Sequence, residues 1–249
     1  MNRPAGAHTA LVTGGGSDIG SAIALEMAAL GYDVAVAVRA TDRSVDRLVD
    51  ALKALGVHAA ARTCDVADPA SVQSLAEGLV QDGFDVDVLV NNAARRREQD
   101  FLEITEEDWR DVLDVTLGGA FRCSQAFAPH MLRKGWGRIV SIIGVRGQTG
   151  APRRAHQVAA KSGLVGLTRA LARELGPGGV TVNAVSPGTI ETARDQANPS
   201  RLERRAALGV TGRFGEPRDV ARAIAYLVGE DAAYVTGQVI GVNGGELMT

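Results

Sequence analysis

Short apolar runs recur along the chain, each closed by glycine or polar turn residues. They lie at Thr9–Thr13, 34–38, 58–62, 86–90, 138–143, 181–185 and 238–242. Their length and apolar content predict strands buried on both faces. Longer segments with apolar residues at helical spacing separate them: 19–30, 44–55, Pro69–Gln81, 106–132, 156–175 and Pro217–Val228. Thr105 followed by Asp108 predicts a helix N-cap with a carboxylate three residues on, opening the 106–132 helix. Strand and helix alternate to the end of the sequence. That predicts an α/β fold: a doubly wound parallel sheet of about seven strands with helices on both faces. No repeat, low-complexity tract or linker interrupts the pattern, so residues 1–249 are expected to form one domain. Such sheets bind ligands at the carboxyl ends of their strands, so the loops after the strands are where chemistry is sought.

Composition narrows the class. With 22% charged and 45% hydrophobic residues the chain reads as an ordinary globular protein. A formal net charge of −2 supplies no overall field toward nucleic acid or an anionic membrane, so neither is expected as a partner. No apolar stretch is long enough for a membrane span, and residues 1–8 lack the apolar core of a signal peptide. Cys64 and Cys123 sit in apolar settings and form no disulfide framework. A cytoplasmic location is expected. No metal-ligand pattern is present.

The loop after the first strand reads Thr13-Gly14-Gly15-Gly16-Ser17-Asp18-Ile19-Gly20. Glycines at Gly14, Gly16 and Gly20 let the backbone turn and approach a pyrophosphate without a Cβ in the way. Ser17, Asp18 and Ile19 open the next helix, whose free N–H groups and positive dipole end face that phosphate. An isolated glycine cluster is as readily a plain turn. Here the cluster follows a strand and opens a helix, which favours the ligand. An NAD site places an acidic residue about 20 positions further on, to hold the ribose 2′-hydroxyl. Here the second strand ends Val38-Arg39. Arginine pairs with a 2′-phosphate and accepts nothing from a hydroxyl, so NADP(H) is expected. The alternative for Arg39 is a solvated charge at a strand end.

At this point the chain resembles the short-chain dehydrogenases/reductases in their compact single-domain form, a Rossmann-type fold. The resemblance runs nearly end to end. It includes the glycine loop, Cys64-Asp65-Val66, Asn91-Asn92-Ala93-Ala94 and Ala159-Ala160-Lys161-Ser162-Gly163. It continues through Val182-Asn183-Ala184-Val185-Ser186-Pro187-Gly188, Gly212-Arg213-Phe214-Gly215-Glu216-Pro217, Val235-Thr236-Gly237-Gln238 and Val242-Asn243-Gly244-Gly245. The resemblance implies that Asp65 and Val66 contact the adenine, and that Asn91, with Ala93 beside it, lines the adenosine ribose. It implies that Pro187, Gly188, Ile190 and Thr192 hold the nicotinamide amide and its phosphate. It also implies a substrate lid at about 191–210, which is polar, arginine-rich and broken by Asn198-Pro199.

The family's catalytic set is an Asn, a Ser, a Tyr and a Lys. By resemblance the Lys binds the nicotinamide ribose and lowers the Tyr pKa, and the Tyr passes the proton. Here Lys161 is present, but Gln157 stands at the tyrosine position four residues before it, on the same helix face. Gly144 stands at the serine position and Thr116 at the asparagine position. His156 is turned about 100° from the tyrosine position and does not simply substitute. Asp18 replaces the family's middle loop glycine; it can cap the helix, but its charge beside a pyrophosphate is unfavourable. Gln157 donates a hydrogen bond but cannot titrate. Losing a general acid costs roughly 10²–10⁴-fold in rate, whereas hydride transfer belongs to the cofactor.

Three readings stay open. The first is an NADP(H)-dependent ketone or quinone reductase whose aromatic or polyketide-like substrate supplies its own proton, with Lys161, Gln157 and Thr116 as the catalytic positions. The second is a catalytically silent subunit supporting an active paralogue in a hetero-oligomer. The third is a site turned to non-redox chemistry, which no residue specifically supports. Retention of Arg39, Asp65, Lys161 and Thr192 favours the first. The resemblance also implies a homo-oligomer, dimer or tetramer. Finally, Arg95, Arg96, Arg97, Arg146, Arg153 and Arg154 fall on two loops that the family topology places at the substrate mouth. They would suit an anionic, phenolic or carrier-bound substrate. The alternative is a solvated surface, or ion pairs across a subunit interface with Glu98, Asp100 and Glu103.

Overall fold

A computed structural model of the chain describes residues 8–193 and 209–249. Seven parallel strands form one sheet in the order β3-β2-β1-β4-β5-β6-β7. They are β1 (Thr9–Thr13), β2 (Asp33–Val38), β3 (Ala59–Thr63), β4 (Val86–Asn91), β5 (Gly137–Ile142), β6 (Val180–Pro187) and β7 (Val239–Val242). The predicted α/β sheet is therefore present, with strand ends moved by a residue or two. The order reverses between β1 and β4, which opens a crevice at their carboxyl ends.

Adjacent residues of one strand serve opposite layers. On β1, Ala10 and Val12 pack with Ile23 and Met27 of α1 (Asp18–Ala29), Leu52 of α2 (Arg43–Ala54) and Ile224 and Leu227 of the last helix. Leu11 faces the other way, toward Leu79 of α3 (Pro69–Gln81) and the helices that follow β4. This period-two division explains why the strands read as continuous apolar runs.

The segment expected as one helix over 106–132 is interrupted. It divides into α4 (Glu106–Leu113), a π turn at Asp114–Gly118 and α5 (Gly119–Lys134). The capping box of Thr105 and Asp108 does open α4. The apolar spacing runs through the break, so periodicity alone could not place it. π turns often mark functional sites, and this one carries Thr116. A one-turn helix α6 (Arg146–Thr149) precedes α7 (Ala155–Leu175), and α8 (Pro217–Val228) packs on α1. At the opposite end of the sheet, buried Asp87 accepts from Thr9 N at 3.1 Å and Lys134 Nζ at 2.8 Å, tying β4 to β1 and α5. No helix among the described residues is long and apolar enough to cross a membrane.

Candidate active site

The glycine loop is packed tightly enough to require its glycines. Gly14 has φ 64°, and a Cβ there would stand 3.0 Å from Ala93 Cα. A Cβ on Gly20 would lie 2.4 Å from the Gly14 carbonyl oxygen. Gly16 is exposed, and a Cβ there would meet side chains alone, Val45 at 3.3 Å and Val38 at 3.5 Å. Ser17 is the N-cap of α1; its Oγ accepts from Gly20 N at 3.1 Å and donates to the Gly14 carbonyl at 2.9 Å. Asp18 is thus the first helical residue and not the cap. Its Oδ2 accepts from the main-chain N–H of Ala193, at 3.2 Å.

Sequence reasoning assigned no role to Asn92, yet it holds this loop in place. Its Nδ2 donates to the carbonyls of Thr13 and Gly14, both at 3.0 Å, and to Ser17 Oγ at 3.3 Å. Asn92 N and Ala93 N both donate to Thr13 Oγ1 at 3.1 Å. The only available signal was its place beside Asn91 in the Asn91-Asn92-Ala93-Ala94 motif. Asn91 itself is buried against α5, donating to Ser124 Oγ at 3.3 Å while its Oδ1 has no partner among the described residues.

Around the loop, Arg39 lies exposed just past β2 and has no ion-pair partner among the described residues. Asp65, also exposed, accepts from Ala67 N at 3.0 Å, and buried Val66 packs on Gly119, where a Cβ would stand 2.6 Å from it. After β6, the Pro187 carbonyl accepts from Val145 N at 2.9 Å, and Gly188 N donates to Val242 O at 3.0 Å. Ile190 is buried and bridges to Gly215; Thr192 is half-buried beside it. Glu246, which the sequence did not single out, accepts from Thr189 N at 3.0 Å. A cleft of about 330 Å³ opens there, lined by Thr189, Thr211, Arg213 and Glu246 among others. Most of the expected lid, at 194–208, lies outside the described residues. The exposed Gly16 and the N-terminus of α1 fit the pyrophosphate of a dinucleotide.

Lys161 lies on α7 with its ammonium surrounded by protein, donating to the Ile142 carbonyl at the end of β5 at 2.5 Å. Burial, reinforced by the positive charge of Arg96, lowers the ammonium pKa to about 7. Gln157, one turn earlier, is half-buried, and its side chain makes no hydrogen bond among the described residues. Gly144 follows β5 with φ 99°, and a Cβ there has no neighbour nearer than the Pro187 carbonyl oxygen at 3.7 Å. Buried Thr116 accepts at Oγ1 from Arg95 N at 3.2 Å, joining the π turn to the loop after β4. His156 is fully buried in α7, and neither ring nitrogen has a hydrogen-bond partner among the described residues. No cluster of three or more His, Cys, Asp or Glu among the described residues could hold a metal ion.

Four of the six arginines at the mouth, Arg95, Arg97, Arg153 and Arg154, are paired within the chain. Arg95 and Arg97 reach Asp111 of α4 at 3.0 and 3.2 Å, and Arg97 also pairs with Asp108. Arg154 pairs with Glu98, and Arg153 with Asp100 at 3.1 Å. Gln99 N donates to the Arg153 carbonyl at 2.9 Å, where Arg153 holds a left-handed φ of 61°. Together these bonds clamp the loop before α7 onto the loop after β4.

Comparison with known proteins agrees with this geometry. Residues 14–246 match the family model described as enoyl-(acyl carrier protein) reductase. The chain is 40% identical over 241 residues to the 3-oxoacyl-(acyl-carrier-protein) reductase FabG of Staphylococcus aureus, covering 96% of this chain and 98% of that one. It is 37% identical over 242 residues to FabG of Escherichia coli K12, covering 96% and 97%. Among solved structures, a candidate gluconate dehydrogenase from Agrobacterium tumefaciens superposes with TM-score 0.91 at 32% identity, covering 97% and 96%. A candidate short-chain alcohol dehydrogenase from Sinorhizobium meliloti 1021 superposes at 0.89 with 31% identity, covering 96% of each chain.

Proposed function

The chain belongs to the short-chain dehydrogenase/reductase family, and from that premise we propose that it is an NADP(H)-dependent reductase of a ketone or quinone, working without a tyrosine general acid. One relationship carries this reading. Lys161 is kept, half-buried and bonded to the Ile142 carbonyl, while the residue one turn before it is Gln157, whose amide has no partner among the described residues. When bound, the reduced cofactor supplies a hydride.

Everything else falls to the chain's own groups. Gln157 donates a hydrogen bond to the substrate oxygen and holds it, but passes no proton. Lys161 places its ammonium on the same helix face, where positive charge stabilises a developing oxyanion. Gly144 and Thr116 add no acid. The proton therefore comes from solvent, as for a quinone whose reduced oxyanion is stable enough to wait for it, or from the substrate's own neighbouring phenol, as for a hydroxy-aryl ketone. The FabG relatives are named for 3-oxoacyl groups on acyl-carrier protein. A carrier-bound, polyketide-like aromatic ketone joins that substrate class to the missing acid. Exposed Phe121 and Leu132 on α5, and the half-buried edge strand β7, suit a dimer or tetramer. Unpaired Cys64 and Cys123 suit a reducing cytoplasm.

The test is oxidation of NADPH by the purified protein with a panel of quinones, ortho-hydroxyaryl ketones and simple aliphatic ketones. Turnover is expected with the first two groups and not the third. No turnover with any of them overturns the reading and leaves the chain as a non-catalytic partner of an active paralogue.

A further inference from the structure

Asp18 stands where the cofactor's phosphate is expected, and its carboxylate is already engaged. Ser17 caps α1, so the helix does not need Asp18 for that purpose. Instead Asp18 Oδ2 accepts from Ala193 N, 175 residues further along the chain. The two loops so joined leave the sheet at β1 and β6, which are separated in it by β4 and β5. The bond therefore crosses over the carboxyl ends of the central strands, the place where such sheets hold a dinucleotide. It joins the two walls that line this crevice: the helix terminus of the glycine loop, and the turn carrying Ile190 and Thr192.

From this placement we infer that Asp18 is an internal competitor for the cofactor's phosphates, bridging the crevice to Ala193 and yielding when the dinucleotide binds. The inference rests on the dinucleotide reading given above. A carboxylate at the first helical position enjoys the same positive field that attracts a phosphate, so the two anions contend for one favourable site. A phosphate entering the crevice meets both like charge and an N–H already in use. Release of Asp18 frees the Ala193 N–H and ends the tie between the loops. Asp18 thus sets the cofactor affinity of this chain and couples cofactor occupancy to the backbone at Ala193.

Two variants separate charge from contact. Asp18→Gly removes both, and Asp18→Asn removes the charge while keeping an acceptor for Ala193 N. Calorimetric titration of the full chain with NADPH is expected to show Asp18→Gly binding roughly tenfold tighter than wild type, with Asp18→Asn in between. Equal or weaker binding by Asp18→Gly overturns the inference. Hydrogen exchange without cofactor reads the contact independently: the Ala193 amide is expected to be protected in wild type and in Asp18→Asn, and to exchange faster in Asp18→Gly. An Ala193 amide that exchanges equally fast in all three overturns the inference even if affinities differ. If neither wild type nor either variant binds NADPH or NADH, the cofactor reading itself has failed, and the exchange result still shows whether the bridge exists.

Discussion

The ammonium of Lys161 donates to the main-chain carbonyl of Ile142 at 2.5 Å, and the backbone of Gly147 lies against the same lysine, where a Cβ would stand 2.8 Å from Lys161 Cβ. The lysine is thus held from two sides, by β5 through a hydrogen bond and by α6 through contact. Gly147→Ala would push into the side chain near its root, which cannot swing aside. A loss of about 1–3 kcal/mol is expected, typical of overpacking a close contact. A melting temperature within a degree or so of wild type (under the scale of about 2–4 °C per kcal/mol for a chain of this size) would show that α6 gives way freely.

Burial makes the charge on Lys161 sensitive to pH. Its pKa falls to about 7 in the folded chain, with burial the main cause and Arg96 adding to it. An unfolded lysine titrates near about 10.4. Between these values the unfolded state binds the extra proton, so stability rises with pH across that window and is flat below it. Melting temperatures of wild type and Lys161→Met, compared from pH 6 to pH 9, should therefore diverge, with wild type gaining relative to the variant above about pH 7. Arg96→Ala should move the onset of that gain upward. Parallel curves would mean that Lys161 keeps an ordinary pKa.

Arg39 offers a test of the cofactor that does not depend on turnover. It is exposed at the end of β2 without an ion-pair partner among the described residues, so its replacement disturbs no internal contact. Wild type should bind NADPH more tightly than NADH. Arg39→Ala should lose roughly tenfold or more for NADPH, the scale of one charge-assisted pair, and little for NADH. Preference of wild type for NADH would end the NADP(H) assignment.

What could be read from the sequence was local, and what could not was long-range. The strands showed because each is a continuous apolar run, and Lys161 and Gln157 showed because four residues along a helix share a face. The π turn at Asp114–Gly118 did not show, since apolar spacing continues through it. Nor did the partners of the charged residues. Arg95 could be seen at the mouth, but its pairing with Asp111 depends on how α4 packs, which no spacing rule gives. The Asp18 bond to Ala193 likewise joins residues that only the folded sheet brings together.

Gly144 shows why restoring the family's residues is not a matter of adding side chains. The sequence showed only an absent hydroxyl. The structure adds a backbone at φ 99°, where an L-residue is strained although space is available. Gly144→Ser should cost roughly 1–2 kcal/mol. Gln157→Tyr carries no such penalty, because it sits in α7 with ordinary helical neighbours. The single change Gln157→Tyr is therefore expected to raise turnover of simple ketones by about 10²-fold, the lower end for gaining a general acid. The double variant should be less stable and no faster. A double variant as stable as the single would mean that the loop after β5 relaxes without strain.

Asn92 is the residue on which the cradle's shape most depends. Its amide is shared among the carbonyls of Thr13 and Gly14 and the hydroxyl of Ser17, so one side chain fixes the turn, its first glycine and the helix cap. Three acceptors converge on a single nitrogen, and a carboxylate in that place would face oxygen on every side. Asn92→Ala should cost about 1–3 kcal/mol through carbonyls left without their donor. Asn92→Asp, nearly identical in shape, should cost more, because repulsion replaces attraction. Both should weaken NADPH binding, since the loop amides lose their fixed direction. The order of the two variants is the decisive measurement. If Asn92→Asp melts at or above the temperature of Asn92→Ala, the amide is not the donor that holds the loop, and the main-chain bonds to Thr13 Oγ1 carry the turn alone.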